Sequence, residues 1–223
     1  RLNAAGVGFP GAPLVVQGHT DRIAWGSTVH PLDVTDVYQE QVVPDATAPA
    51  GLSAMYKGQK VPLFPVLQTF RINNPGNGTP DDLVVVPPSA SIPQATLLIW
   101  RRNSPIISLN MATGAAVSVQ WVGHGPTREL ETFLIWNEAK NLADFKRGLE
   151  YFDVGSQNFV YGDIDGNIAY LTGGEAPIRE DLQAGTITGA PPFFIRNGQG
   201  GNDWIPVTTR PATQSSSFQI LPA

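Results

Sequence analysis

Glycine and proline interrupt this chain at 23 and 20 of its 223 positions, so its apolar residues come in short runs closed by turns. Glycine supplies backbone angles other residues avoid and proline removes a hydrogen-bond donor, which disfavours long helices over most of the length. A β-rich fold of short strands is what remains. Leu14-Val15-Val16 is a continuous apolar run, as in a strand covered on both faces, and Ile23-Ala24-Trp25 is its expected hairpin partner across Gly18-His19-Thr20-Asp21. Leu83-Val84-Val85-Val86, Leu97-Leu98-Ile99-Trp100 and Val117-Ser118-Val119-Gln120-Trp121 read as further strands, the last with Val117, Val119 and Trp121 on one face. The clearest hairpin joins 158–163 to 167–171 through Ile164-Asp165-Gly166, because Asp-Gly suits the positive-φ positions of a tight turn.

Helical periodicity is confined to one region. A short helix is expected over 130–139. A second is capped by Asn141 and carries Leu142, Phe145, Leu149 and Phe152 as a single apolar stripe for packing on a sheet. From about 44 to 93 the chain is a Pro/Gly-rich excursion that includes Asn73-Asn74-Pro75-Gly76-Asn77-Gly78. With no internal repeat and no linker, 1–223 reads as a single β-rich domain.

Charge and composition narrow the function classes. The 14 basic and 19 acidic residues give a net charge of −5 with no basic block, which argues against nucleic acid as a partner. No apolar run is long enough for a membrane-spanning helix, and the absence of Cys excludes disulfides and thiolate metal sites. His19, His30 and His124 are too far apart in sequence for a zinc pair. Ser27, His30 and Asp33 are too close in sequence to converge as a triad, and no Gly-x-Ser-x-Gly elbow exists. Asp163-Ile164-Asp165-Gly166-Asn167 resembles the opening of a calcium loop but lacks the closing Glu, so it reads as a turn. Asp33 and Asp36 can converge on a hard cation with the Thr35 carbonyl as a third oxygen. Alternatively, Asp33 caps the following segment and Asp36 meets an Arg.

Several blocks, in order, carry a family likeness: Phe9-Pro10-Gly11-Ala12-Pro13, Gly18-His19-Thr20-Asp21, Ala24-Trp25-Gly26-Ser27-Thr28 and the Asp33-Asp36 loop. Ala139-Lys140-Asn141 with Phe145, the hairpin from Gln157 to Tyr170, and Ala176-Pro177-Ile178-Arg179 follow. Together they resemble the penicillin acylase family of N-terminal nucleophile hydrolases. The stretch 44–93 has no match, and Arg101-Arg102-Asn103-Ser104-Pro105 departs from the family's Arg-x-x-His-Gly-Pro.

The resemblance implies an α+β chain, a β-rich fragment of the four-layer αββα fold belonging to the large subunit. The nucleophile would be an N-terminal Ser exposed by self-cleavage, with its own α-amino group as base, lying outside this chain. The oxyanion would be held by an Asn, also outside, and by a backbone N–H that matches Val29; Ser27 would line the acyl pocket beside it. Asp33, Thr35 (through its carbonyl) and Asp36 match ligands of a structural calcium. The implied partners are a small-molecule N-acyl amide with a hydrophobic acyl group and the remainder of the self-processed acylase, its small subunit and the rest of the large one. The location would be periplasmic or secreted, and this chain alone would be inactive. Ala24 and Val29 fit acyl-homoserine-lactone and lipopeptide acylases of the family as well as penicillin acylases. A reading from another class is a non-catalytic carbohydrate-binding module with Trp25, Trp100, Trp121 and Trp204 as platforms, although three of these end apolar runs and suit a core better.

Overall fold

The computed structural model describes residues 2–73, 76–80, 82–85, 96–100, 104–182, 191–205 and 218–220. Where the sequence reads as one domain, contacts group the chain into two compact units. The first comprises Arg1–Asp36, Trp121–Phe194 and Gly201–Ala223, and the second Val37–Gln120 with Ile195–Gly200. The class is the expected one, α+β and β-rich: antiparallel sheets, with two α-helices, Glu129–Glu138 and Leu142–Leu149, among the described residues. No helix among those residues is long and apolar enough to cross a membrane.

The first unit is built on a five-stranded antiparallel sheet. Its spatial order is Ala4–Val7, Gln17–Thr20, Ile23–Val29, Gln157–Asp163, Ile168–Gly173. The central ladder runs from Ile23↔Asp163 to Val29↔Gln157 without a register shift. Strand alternation therefore sends Ile23, Trp25, Phe159, Tyr161 and Leu171 to one face, where all five are buried in a core shared with both helices. Trp136 is the centre of that core. It is fully buried, stacks on Phe145 at 4.2 Å, meets Phe159 edge-on at 4.9 Å, and donates its indole N–H to the Phe145 carbonyl at 2.8 Å. A Cβ at Gly148 would fall 2.5 Å from that indole nitrogen, so only glycine lets the helices approach this closely.

Asn141 caps the second helix as expected, its Oδ1 accepting the Asp144 N–H at 2.9 Å. The apolar stripe is buried at Phe145 and Leu149, and at Phe152 just past the helix end. The 157–173 hairpin is also as expected. Asp163 Oδ1 accepts the backbone N–H groups of Asp165 at 3.0 Å and Asn167 at 2.9 Å, and Gly166 takes φ 88°. That carboxylate serves the turn, and the side-chain bond from Asn167 is the main reason its pKa lies below the ordinary value.

One local expectation is corrected. The hairpin partner of Ile23–Val29 is Gln17–Thr20, not Leu14-Val15-Val16. Asn137 of the first helix explains the shift: its Oδ1 accepts the Val15 N–H at 3.0 Å and its Nδ2 donates to the Val15 carbonyl at 2.8 Å, so a side chain replaces a strand partner there. On strand Ala115–Trp121, Val117, Val119 and Trp121 share one face as expected, and it is the outer one: Val117 and Val119 are half-buried and Trp121 is exposed, while Ala116, Ser118 and Gln120 point inward. The interior of the second unit is polar at this point. Ser118 Oγ donates to Glu40 Oε1 at 2.7 Å, and Trp100 Nε1 donates to the same oxygen at 2.8 Å.

The second unit's sheet runs Gln59–Pro62, Leu52–Tyr56, Thr35–Pro44, Ala115–Trp121, Ser104–Leu109, Thr96–Trp100, Phe64–Leu67, with Arg196–Asn197 parallel to Thr35–Pro44. Within the expected excursion, Arg71–Asn73 and Leu83–Val85 form a separate two-stranded ribbon. Val86 and Arg101-Arg102-Asn103 lie outside the described residues. The chain leaves the first unit after Asp36 and returns at Trp121, and Val122 N–H donates to the Val34 carbonyl at 3.2 Å across that exit and return.

Phe145→Ala removes the ring stacked on Trp136, and the expected loss of unfolding free energy is about 3–5 kcal/mol, read by chemical denaturation of the chain.

Candidate functional site

Val29 ends its strand with a side chain 71% exposed. Which way its amide points follows from the ladder. Ile164 N–H donates to the Arg22 carbonyl at 3.0 Å at one end, and His30 N–H to the Ser156 carbonyl at 2.9 Å at the other. In an antiparallel pair the hydrogen-bonded positions alternate, and the register between these ends is unbroken. The even-numbered residues of this strand therefore bond to Gln157–Asp163, while the N–H groups of Ser27 and Val29 point the other way. On that other side the ladder to Gln17–Thr20 covers only Trp25 and Ala24, so it stops short of Val29. The Val29 amide lies outside both ladders.

Its neighbours are polar. Ser27 shares the parity of Val29, is half-buried, and accepts a 2.7 Å bond at Oγ from Gln17 Nε2. The Val29 carbonyl accepts from Asn158 Nδ2 at 3.0 Å, and Tyr170 O–H donates to Asn158 Oδ1. Neither Asn158 nor Tyr170 stands out in the sequence beyond belonging to a hairpin. Two open grooves of the same unit, about 800 Å³ and 390 Å³, lie at the opposite end of these strands, around Arg22 and Asp165, and not at Val29.

The Asp33-Asp36 loop is organised by Arg179. Asp36 is fully buried; Arg179 Nε donates to its Oδ2 at 2.8 Å and Arg179 Nη2 to its Oδ1 at 3.0 Å. The same Nη2 donates to the Asp33 carbonyl at 3.2 Å and lies 3.3 Å from Asp33 Oδ1. Trp204 N–H also donates to Asp36. Local pairing explains the convergence. Arg179 bridges Trp204, Glu180 N–H donates to the Asp203 carbonyl at 2.9 Å, and Ile205 N–H to the Ile178 carbonyl at 2.7 Å. A guanidinium thus meets both carboxylates of the expected calcium set, Asp33 and Asp36, whose third member was the Thr35 carbonyl. Among the described residues no group of three His, Cys, Asp or Glu converges as a metal site. Carboxylates so neutralised are a poor fit for calcium. The alternative in which Asp36 meets an Arg is the one observed.

The Trp residues are not platforms: Trp25, Trp100 and Trp204 are buried, and Trp121, 39% exposed, meets His124 edge-on at 5.7 Å. Burial holds the His124 pKa below the ordinary value.

One buried acid escaped the sequence reading. Asp153 is 4% exposed, its carbonyl accepts the N–H of equally buried Glu175 at 2.8 Å, and Arg128 Nε lies 3.7 Å from its carboxylate. Desolvation first, then the Glu175 charge, pushes its pKa up to about 6. A folded-state pKa above the unfolded value of 3.8 means that the native state holds this proton more tightly. The group's contribution is full below the unfolded pKa and declines as pH rises through about 6. Asp153→Asn, which mimics the neutral acid, is expected to stabilise the fold at neutral pH by about 1–3 kcal/mol and to flatten the stability profile across that window, measured by denaturation at a series of pH values. Asp36→Asn is expected to cost about 3–5 kcal/mol in the same assay, because it removes the fully buried one of the two carboxylates that Arg179 meets.

A family model described as penicillin amidase matches residues 1–219. Among solved structures the chain is similar to the thermostable penicillin G acylase from Alcaligenes faecalis, at 21% identity and a TM-score of 0.59, over 99% of this chain and 36% of that one. The structural likeness gives the same fold, and the chain spans little more than a third of that enzyme's length. The match across nearly all of its residues shows that this chain belongs to the penicillin amidase family.

Proposed function

We propose that this chain is part of an amidohydrolase that cleaves N-acyl amides bearing a hydrophobic acyl group, and that it contributes the Val29 N–H as one oxyanion donor. The observation that carries the reading is the ladder parity, which leaves that amide outside both strand pairings at an exposed strand end. Backbone donation leaves the side chain free, so valine is chemically adequate here. Ser27, two positions earlier and of the same parity, would line the acyl-binding wall, with its hydroxyl held by Gln17.

The nucleophile in this reading is the hydroxyl of an N-terminal Ser from polypeptide outside this sequence. An α-amino group with a pKa of roughly 8 accepts the hydroxyl proton near neutrality without a histidine. Attack on the amide carbonyl moves its π electrons onto oxygen. That oxyanion then accepts the Val29 N–H and an Asn donor from outside the chain. Collapse breaks the C–N bond as the α-ammonium returns its proton to the leaving nitrogen, which departs as the neutral amine and leaves the acyl-serine ester. Water, giving a proton to the same amino group, then hydrolyses the ester to the acid and the free serine. The remaining polypeptide, with its small subunit and the rest of the large one, would be the partner, and a periplasmic or secreted location goes with that reading. Ala24 and Val29 suit an acyl-homoserine-lactone or lipopeptide acylase equally, so phenylacetyl and long-chain acyl anilides are assayed side by side.

The test is made in the complete self-processed protein. An α-hydroxy acid placed at position 29 by nonsense suppression turns the Thr28–Val29 amide into an ester and removes only the N–H. The expected outcome is a kcat lower by about 10²–10³-fold per mole of processed enzyme. An unchanged kcat would sink the assignment of Val29.

A further inference from the structure

The peptide units on either side of Val29 are held by one residue of the neighbouring strand. Asn158 lies directly opposite Thr28, at a hydrogen-bonded position of the ladder, which fixes the peptide unit that contains the Val29 N–H. The Asn158 side chain then crosses to the next unit and donates from Nδ2 to the Val29 carbonyl at 3.0 Å. The N–H of that second unit, on His30, donates to the Ser156 carbonyl at 2.9 Å. Both planes that meet at the Val29 Cα are thereby pinned, and with them the direction of its amide.

The amide of Asn158 is itself oriented. A carbonyl only accepts, so the nitrogen of Asn158 must face Val29 and its oxygen must face Tyr170, whose O–H donates to it. Tyr170 reaches this oxygen from the next strand. It pairs with Val160, and Asn158 pairs with Thr172, so Tyr170 and Asn158 are diagonal neighbours on one sheet face. Tyr170 is 65% exposed and Asn158 is half-buried. Hydrogen bonds this wet add little net stability, so the relay contributes geometry more than fold energy.

We propose that Asn158 and Tyr170 are positioning residues for the Val29 amide, Tyr170 fixing the Asn158 carboxamide and Asn158 fixing the backbone on both sides of Val29. The proposal rests on the reading of Val29 as an oxyanion donor. A donor acts through its aim at charge that exists only in the transition state, so loosening it lowers kcat and leaves substrate binding alone.

The experiment uses the complete self-processed acylase with a chromogenic N-acyl anilide and compares Asn158→Asp, Tyr170→Phe, their double variant and the position-29 ester. Asn158→Asp keeps the acceptor for Tyr170 but sets an oxygen against the Val29 carbonyl. It should lower kcat by about ten- to a hundredfold, as misplacing a catalytic group does, with KM changed less than about twofold. Tyr170→Phe should give a smaller fall of the same kind, with the thermal midpoint unchanged, and should add nothing in the Asn158→Asp background. If the ester lowers kcat while both side-chain variants keep it, the positioning role is overturned and the reading of Val29 stands. If the ester keeps full kcat, the reading of Val29 falls and this proposal with it. A raised KM at constant kcat would make the pair substrate contacts and overturn positioning. A fall in kcat that follows a fall in thermal midpoint would overturn it in favour of sheet stability alone.

Discussion

The unshifted ladder between Ile23–Val29 and Gln157–Asp163 is the constraint on which the first unit depends. One register decides two things at once. By side-chain alternation it sends Trp25, Phe159 and Tyr161 into the core around Trp136, and by hydrogen-bond alternation it turns the Val29 amide away from its partner strand. A slip of one residue would expose the aromatic core and bury the Val29 amide in sheet pairing. The aromatic cluster therefore guards the backbone geometry at the strand end, although it lies several residues away.

The buried polar groups play the second organising part. Asp36, Asn137 and Glu40 are each buried and each ties together segments distant in sequence. Asn137 captures the backbone of Val15, Asp36 gathers Arg179 and Trp204, and Glu40 takes Trp100 and Ser118. An acceptor buried without such partners would be costly, so each of these residues specifies one arrangement of the loops around it. The Asp33-Asp36 loop shows the consequence most directly, because the charge that two carboxylates call for comes from the protein's own Arg179.

Legibility in the sequence followed the range of the interaction. The hairpin around Asp165-Gly166 and the Asn141 cap rest on neighbours within a few positions, and both could be read from residue types. The Ala-Trp-Gly-Ser-Thr segment and the blocks after it carried the family and, with it, the fold and the interest in Val29. The Arg179–Asp36 pair spans 143 positions and the Asn137–Val15 pair 122, and nothing local marks either partner. Strand Ala115–Trp121 and its alternation were legible, but alternation gives two faces without saying which is inside; Glu40, far upstream, makes the Ser118 face the buried one. Asn158 and Tyr170 were hidden for a related reason, since a residue in a well-formed hairpin attracts no further explanation.

The bond from Val122 to Val34 ties together the point where the chain departs for the second unit and the point where it comes back. With such a knot, intervening residues can be added or lost at small entropic expense, roughly 0.6 kcal/mol for each doubling of a flexible loop. The Pro/Gly-rich ribbon within that stretch can thus change in length at small cost without altering the register that aims the Val29 amide. The geometry at the Val29 strand end therefore does not depend on how long a detour the chain makes between leaving and rejoining its unit.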